Sequence, residues 1–281
     1  MGLWSIIPMV ILFPFAVVPL GMLALMRCDD LLRLNFRGQL VTTSGGIAIC
    51  ASFALQLAVA CPFFVNLTSV CSLMVLVGTW FLSIGLVDDF YGDGLWRGLV
   101  GHIRALLYHR RVTTGLIKAI GGVIGATAII LWQAKGDAKL LPNWLLGVML
   151  ICLSANGINL LDKRPSRALK VFWALCACSI VVAHGNERFT IAMLMVSTLP
   201  YAPYDFSCRA MLGDAGANFL GATLGSFIWM ATPFGFQLSV LVLWIGLHAY
   251  AERRSLTEAI AKSKVLSWLD EVGVKRASAS N

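Results

Sequence analysis

Nine apolar runs follow one another along this chain, most of them close to the length of a bilayer crossing. They cover residues 1–26, 46–66, 68–87, 115–133, 140–161, 169–184, 189–203, 215–232 and 234–250. A hydrocarbon layer requires about 20 mostly apolar residues per helical crossing. A chain carrying nine such runs has one economical solution, a bundle of helices whose backbone hydrogen bonds close within each segment. Composition agrees: of 281 residues, 58% are hydrophobic and 13% charged, and mean hydropathy is +0.80. Soluble domains carry about 25% charged residues. A soluble enzyme, a disordered chain and a secreted disulfide module are therefore excluded as classes. The expected fold is all-α, a polytopic integral membrane bundle of about nine spans. Residues 1–250 form the bundle and 251–281 a tail. The first run lacks a basic leader and is too long for a signal-peptide core, so it is expected to be retained as a span. The run at 189–203, interrupted by Pro200 and Pro203, and the short run at 169–184 are the weakest of the nine.

The net charge of +8 is not spread evenly. Nineteen of the 22 Lys and Arg residues fall in 27–45, 88–114, 162–168, 204–214 and the tail, with Lys118 and Lys170 at adjoining span edges. Only Lys135, Lys139 and Arg188 fall on the other side. The positive-inside rule then places the N-terminus outside and the C-terminus in the cytoplasm, in the cell membrane. It also accounts for the basic balance without nucleic acid. Twelve of the 14 acids, all but Asp137 and Glu187, gather on the same cytoplasmic face. Acidic residues obey no such rule, so their placement points to chemistry. The eight cysteines, at 28, 50, 61, 71, 152, 176, 178 and 208, form no CxxC pair and read as small apolar side chains rather than as a zinc site or a disulfide framework. The tail, with Leu256, Ile260, Val265, Leu266 and Leu269, reads as a basic amphipathic helix on the inner membrane surface.

Three acidic motifs stand at span ends on that face. GLVDDFYGDG carries Asp88 and Asp89, SANGINLLDKRP carries Asn156, Asn159 and Asp162, and RAMLGDAGANFLG carries Asp214. Ionisable groups at the edge of hydrocarbon are costly and usually serve a function or a partner. Carboxylates there attract a hard divalent cation, and Mg²⁺ needs only one or two of them, completing its shell with water and phosphate oxygens. The cation reverses the local sign, and Lys118, Arg104, Arg110, Arg111, Lys163, Arg164 and Arg167 reinforce it. Such a site suits a nucleoside diphosphate beside a lipid phosphate. Each motif also has a plainer reading. Asp88 and Asp89 can begin a solvated loop, Asp162 can pair with Lys163 or Arg164, and Asp214 can cap a helix. Asn156 and Asn159 can join neighbouring helices. The four histidines form no ligand pair. No Walker loop, nucleophile elbow or dinucleotide fingerprint is present.

Taken in order, these motifs resemble those of the polyprenyl-phosphate N-acetylhexosamine-1-phosphate transferases, the MraY and WecA type. NFRGQLVTTSGG at 35–46 resembles that family's first cytoplasmic loop, and GLVDDFYGD its Asp-Asp motif. TTGLIKAIGG, with Lys118, resembles the segment whose lysine contacts the diphosphate. NGINLLD resembles its Asn-x-x-Asn-Leu-x-Asp motif, and MLGDAGANFLG its Met-Gly-Asp-x-Gly-Ser motif, whose aspartate binds Mg²⁺. The sequence departs from the family where Lys163-Arg164-Pro165 replaces Gly-x-Asp-Gly, at Asp205 and at Ala217. It departs most where HAYAERRSLTEAI stands in place of a His-rich cytoplasmic loop.

The resemblance implies a membrane transferase that moves a sugar-1-phosphate from a UDP-sugar to a polyprenyl phosphate and releases UMP. Its cofactor would be Mg²⁺ or Mn²⁺, and its setting cell-envelope glycan synthesis such as that of peptidoglycan. Asp88, Asp89, Asp162 and Asp214 would be catalytic, with Asp214 and Asp162 at the metal. Asp88 and Asp89 would orient or deprotonate the lipid phosphate. Lys118, Asn156, Asn159, Lys163 and Arg164 would bind substrate. The implied partners are the lipid phosphate, the UDP-sugar and the membrane, with no nucleic acid; a homodimer is allowed. The alternative class is a homologue without the chemistry, a lipid-phosphate-binding or assembly subunit. The lost histidines favour it, and the retained acidic cluster opposes it. A transporter fits less well, because the acids lie at the face rather than the midplane.

Overall fold

We describe the protein from a computed structural model; the described residues are 3–60, 68–92, 95–96, 98–134, 143–184 and 187–275. In chain order the helices are α1 (Leu3–Leu25), α2 (Gly46–Ala60), α3 (Thr68–Tyr91), α4 (Gly98–His109), α5 (Thr114–Gln133), α6 (Trp144–Leu161) and α7 (Arg167–Val182). They continue as α8 (Arg188–Thr198), α9 (Ala202–Phe206), α10 (Gly213–Ala231), α11 (Phe234–Ala251), α12 (Leu256–Lys262) and α13 (Lys264–Glu271). A short antiparallel hairpin of β1 (Leu32–Leu34) and β2 (Leu40–Thr42) lies between α1 and α2. Each of the nine apolar runs contains one helix: α1, α2, α3, α5, α6, α7, α8, α10 and α11. Lys135, Asp137, Lys139, Asp93, Arg97, Arg276 and Cys61 lie outside the described residues.

Four helices are long and apolar enough to cross a bilayer: Ser69–Tyr91, Thr114–Gln133, Trp144–Leu161 and Phe234–Ala251. The protein is an all-helical bundle suited to membrane association. α10 is different in kind. Its sequence is rich in Gly and Ala, and every residue except Asp214 and Met230 is buried. α3 and α6 pack along it, α2 and α7 close further sides, and α5 lies across α3 and α6. Small residues set these distances, as is usual where helix backbones approach within a membrane. A Cβ on Gly46 would strike the backbone of Gly216, and one on Gly85 would come within 2.5 Å of the Asp214 carbonyl. One on Gly221 would strike the Ser154 carbonyl. Because its surroundings are protein, α10 can be the central helix without being the most hydrophobic one.

Three boundaries differ from expectation. α3 runs on to Tyr91, so Asp88 and Asp89 lie on its last turn rather than in a loop. α8 stops at Thr198, before Pro200, which lacks the backbone N–H that would continue the helical hydrogen bonds; Leu199 itself keeps helical backbone. The tail is two helices rather than one: Ser255 accepts from the Glu258 amide and Ser263 from that of Leu266, so each begins at its own serine cap. None of the seven described cysteines is in a disulfide; Cys50, Cys71, Cys176 and Cys208 are buried, whereas Cys28 and Cys178 are exposed.

Candidate functional site

The first amides of α10 have no partner within their helix, as at any helix N-terminus. Two carboxylates from neighbouring helices fill that role. Asp89, on the last turn of α3, accepts from the Asp214 amide at 2.8 Å through Oδ1 and from the Ala215 amide at 3.0 Å through Oδ2. Asp162, the C-cap of α6, accepts from the Gly213 amide at 3.0 Å. The positive end of the α10 dipole favours both. Ser44 adds a third donor to Asp89, at 2.6 Å, and Arg33 donates to the Asp89 carbonyl. Ser44 is fully buried with φ +61, directly after the hairpin strand β2. That hairpin is tied to the approach to α10 by a hydrogen bond from the Met211 amide to the Thr42 carbonyl.

The other two aspartates turn the opposite way. Lys118, one turn into α5, donates to Asp88 Oδ2 at 2.8 Å and to Asp214 Oδ1 at 2.9 Å. Asn159 of α6 also donates to Asp214 Oδ1. All three ion-paired side chains keep some solvent contact, that of Asp214 being 26% exposed. Four helices thus contribute Asp88, Lys118, Asn159 and Asp214 to one partly open cluster, and Asp89 and Asp162 hold the helix end on which it is built.

The remaining expected residues are placed elsewhere. Asn156 is exposed and hydrogen-bonded to His248 Nε2 at 2.9 Å; His248 Nδ1 bonds to the Trp244 carbonyl, so that neighbourhood belongs to α6 and α11. Arg164 stacks on Phe36, 4.4 Å from the ring centre, and Lys163 is exposed. His102 bonds to Thr113, the cap of α5, at 2.8 Å. Among the described residues, no three His, Cys, Asp or Glu side chains form a closed metal cage. Mg²⁺ does not require one: two hard carboxylates with access to water and phosphate oxygens match its needs. Asp88 and Asp214 offer that donor set, and Lys118 already supplies positive charge between them.

The turn after Asp162 carries a residue whose role was not legible. The Ser166 amide, at φ +66, donates to Asp205 Oδ2 at 2.9 Å, and Asp205 is almost fully buried. Burial pushes the Asp205 carboxyl up to about 7, against the Ser166 amide and the charge of Lys170. Burial and the nearby Asp205 likewise raise Asp162 well above the usual carboxylate range, against the Gly213 amide. A raised carboxyl takes up a proton on folding. Its stabilising contribution is therefore present at low pH and falls as pH rises from about 4 to about 7. Asp205→Asn keeps an acceptor for Ser166 and cannot ionise. Thermal unfolding in detergent from pH 5 to pH 8 should show a smaller loss of stability for this variant than for the wild type. Because pH 5 to about 7 covers only two-thirds of that rise, the difference over this range is up to about 3 kcal/mol. Identical slopes would show that Asp205 does not titrate in the fold.

No protein-family model matches this sequence, and no curated protein matches it.

Proposed function

We propose that this chain is a multi-pass membrane transferase that moves a sugar-1-phosphate, N-acetylhexosamine-1-phosphate for preference, from a UDP-sugar to a polyprenyl phosphate. The reaction depends on Mg²⁺, releases UMP and serves cell-envelope glycan synthesis. The observation that carries the reading is the meeting of Asp88, Lys118, Asn159 and Asp214, from four helices, in one partly exposed cluster. These residues come from separate motifs, and helix capping alone does not require them to converge.

In this reading an oxygen of the lipid phosphate attacks the β-phosphorus of the UDP-sugar. The bond from that phosphorus to the bridging oxygen breaks, and UMP leaves with the electron pair. Phosphoryl transfer needs positioning and charge stabilisation more than covalent help from the protein. Asp214 and Asp88 would hold Mg²⁺, which when bound would supply Lewis-acid neutralisation of the phosphates. Lys118 turns to the diphosphate once its two carboxylates are engaged. Asn159 fixes the rotamer of Asp214. Asp89 and Asp162 keep the α10 terminus in register, and Asp162 has a second oxygen for metal or nucleotide. Lys163 and Arg164, which follow Asp162 in the chain, add positive charge that draws anions towards this face.

The test is a panel of UDP-sugars incubated with undecaprenyl phosphate and Mg²⁺, scored by UMP release. One or more N-acetylhexosamine donors should give UMP only when lipid and metal are both present. Failure of every donor to release UMP would reject the assignment.

The same reading has nine spans, the N-terminus outside and the site at the cytoplasmic face. On a cysteine-free background, Glu187→Cys should react with an impermeant maleimide added outside intact cells, and Lys163→Cys only after the membrane is opened. Reaction of both from one side would sink this topology.

A further inference from the structure

We propose that α13 is seated in the interface of an anionic bilayer, held at that depth by the first turn of α7; the depth argument rests on reading α7 as a span. α13 presents Val265, Trp268, Leu269 and Val272 at i, i+3, i+4 and i+7, on one side of the helix. All four are exposed, Val265 at 66% and Trp268 at 65%. The opposite side is firmly held. Arg167 grips Asp270 through two hydrogen bonds, Nε at 2.8 Å and Nη2 at 2.7 Å, and is itself 5% exposed. Lys170 donates to the Leu269 and Asp270 carbonyls at 2.7 and 3.1 Å, satisfying groups at the C-terminal end of the helix. The chain beyond is fastened too, with the Lys275 amide on the Phe206 carbonyl at 3.0 Å and Arg37 on the Lys275 carbonyl at 3.0 Å.

A stripe of this kind facing water is unfavourable, and fixing it outward by a buried arginine makes no sense for a solvated tail. Its depth identifies the occupant. Arg167 and Lys170 belong to the first turn of α7, so α13 lies level with the end of that span, where headgroups meet acyl chains. Trp favours that depth. The charge matches as well. Over residues 252–275 the five cations Arg253, Arg254, Lys262, Lys264 and Lys275 outnumber the four acids Glu252, Glu258, Asp270 and Glu271, and Asp270 is already paired with Arg167. Basic segments beside an apolar stripe bind anionic lipid surfaces.

The experiment uses the full chain in nanodiscs, where both faces meet the buffer. Emission of the wild type minus that of Trp268→Phe isolates Trp268, and the phenylalanine keeps the stripe apolar. With phosphatidylcholine and phosphatidylglycerol mixed, the difference spectrum should be blue-shifted, quenched severalfold by lipids brominated high on the acyl chain, and little affected by iodide. Replacing phosphatidylglycerol by phosphatidylcholine should weaken the bromolipid quenching. Iodide quenching without bromolipid quenching would overturn the proposal. Protection from both, with disulfide-linked dimers of Trp268→Cys, would overturn it in favour of a second copy of the chain. A chain that does not enter nanodiscs would instead overturn the span reading on which the depth rests.

Discussion

Asp214→Asn should lower transfer about 10³-fold or more, on the scale of losing a group that stabilises transition-state charge, and leave the bundle folded. The terminus of α10 does not depend on the Asp214 side chain. Its amides are held by Asp89 and Asp162. The variant keeps size and an acceptor for Asn159 or Lys118 but loses the charge that would hold Mg²⁺. UMP release and the thermal midpoint should therefore separate: the first disappears, and the second moves by no more than a few degrees. Turnover at the wild-type rate would reduce Asp214 to an ion-pair partner of Lys118. Collapse of the fold would mean that the cluster is structural.

Gly213→Ala should act the other way round, on the fold first. Gly213 has φ +69, and a Cβ there would collide with Thr43 Oγ1 and stand 2.8 Å from both Asp89 Oδ2 and the Ser44 amide. Left-handed backbone costs a non-glycine residue about 1–2 kcal/mol, and overpacking adds roughly 1–3 kcal/mol. The expected destabilisation is about 2–5 kcal/mol. It should appear as a lower unfolding midpoint in detergent, with binding of any anionic substrate lost in parallel. An unchanged midpoint would show that the loop from Thr43 to Ser44 yields, and that the clamp on α10 is looser than its hydrogen bonds indicate.

These two positions show where sequence reading reaches and where it stops. The apolar runs were legible because a span is a local property, written in composition over some twenty residues. The acidic motifs were legible because charge at a span end is conspicuous. Their division of labour was not. Asp88 and Asp89 are adjacent in sequence, yet one faces Lys118 and the other the α10 amides, since neighbouring residues on a helix point in different directions. Which of them caps α10 depends on how closely α3 approaches it, and Gly85 sets that distance. Ser44 and Arg33 escaped notice for the same reason. Both act on Asp89 across more than 40 positions of sequence, and only the run of small residues TTSGG hinted at a tight loop. Asp205 could be seen as a departure from the family pattern, but its hold on Ser166 could not. In the tail, the amphipathic pattern was visible, whereas the break at Ser263 depends on a serine cap that competes with continuation of the helix.

Group transfer is tested most directly by following one phosphorus atom. A UDP-N-acetylhexosamine labelled with ³²P at the β-phosphate is incubated with the purified chain, polyprenyl phosphate and Mg²⁺, and then partitioned between butanol and water. A transferase puts label in the butanol phase in step with UMP in the water. Both should vanish when the metal is chelated and in Asp214→Asn. Label that stays in the water for every UDP-sugar, while the chain still binds polyprenyl phosphate, would contradict group transfer and leave a lipid-phosphate-binding protein in place of an enzyme.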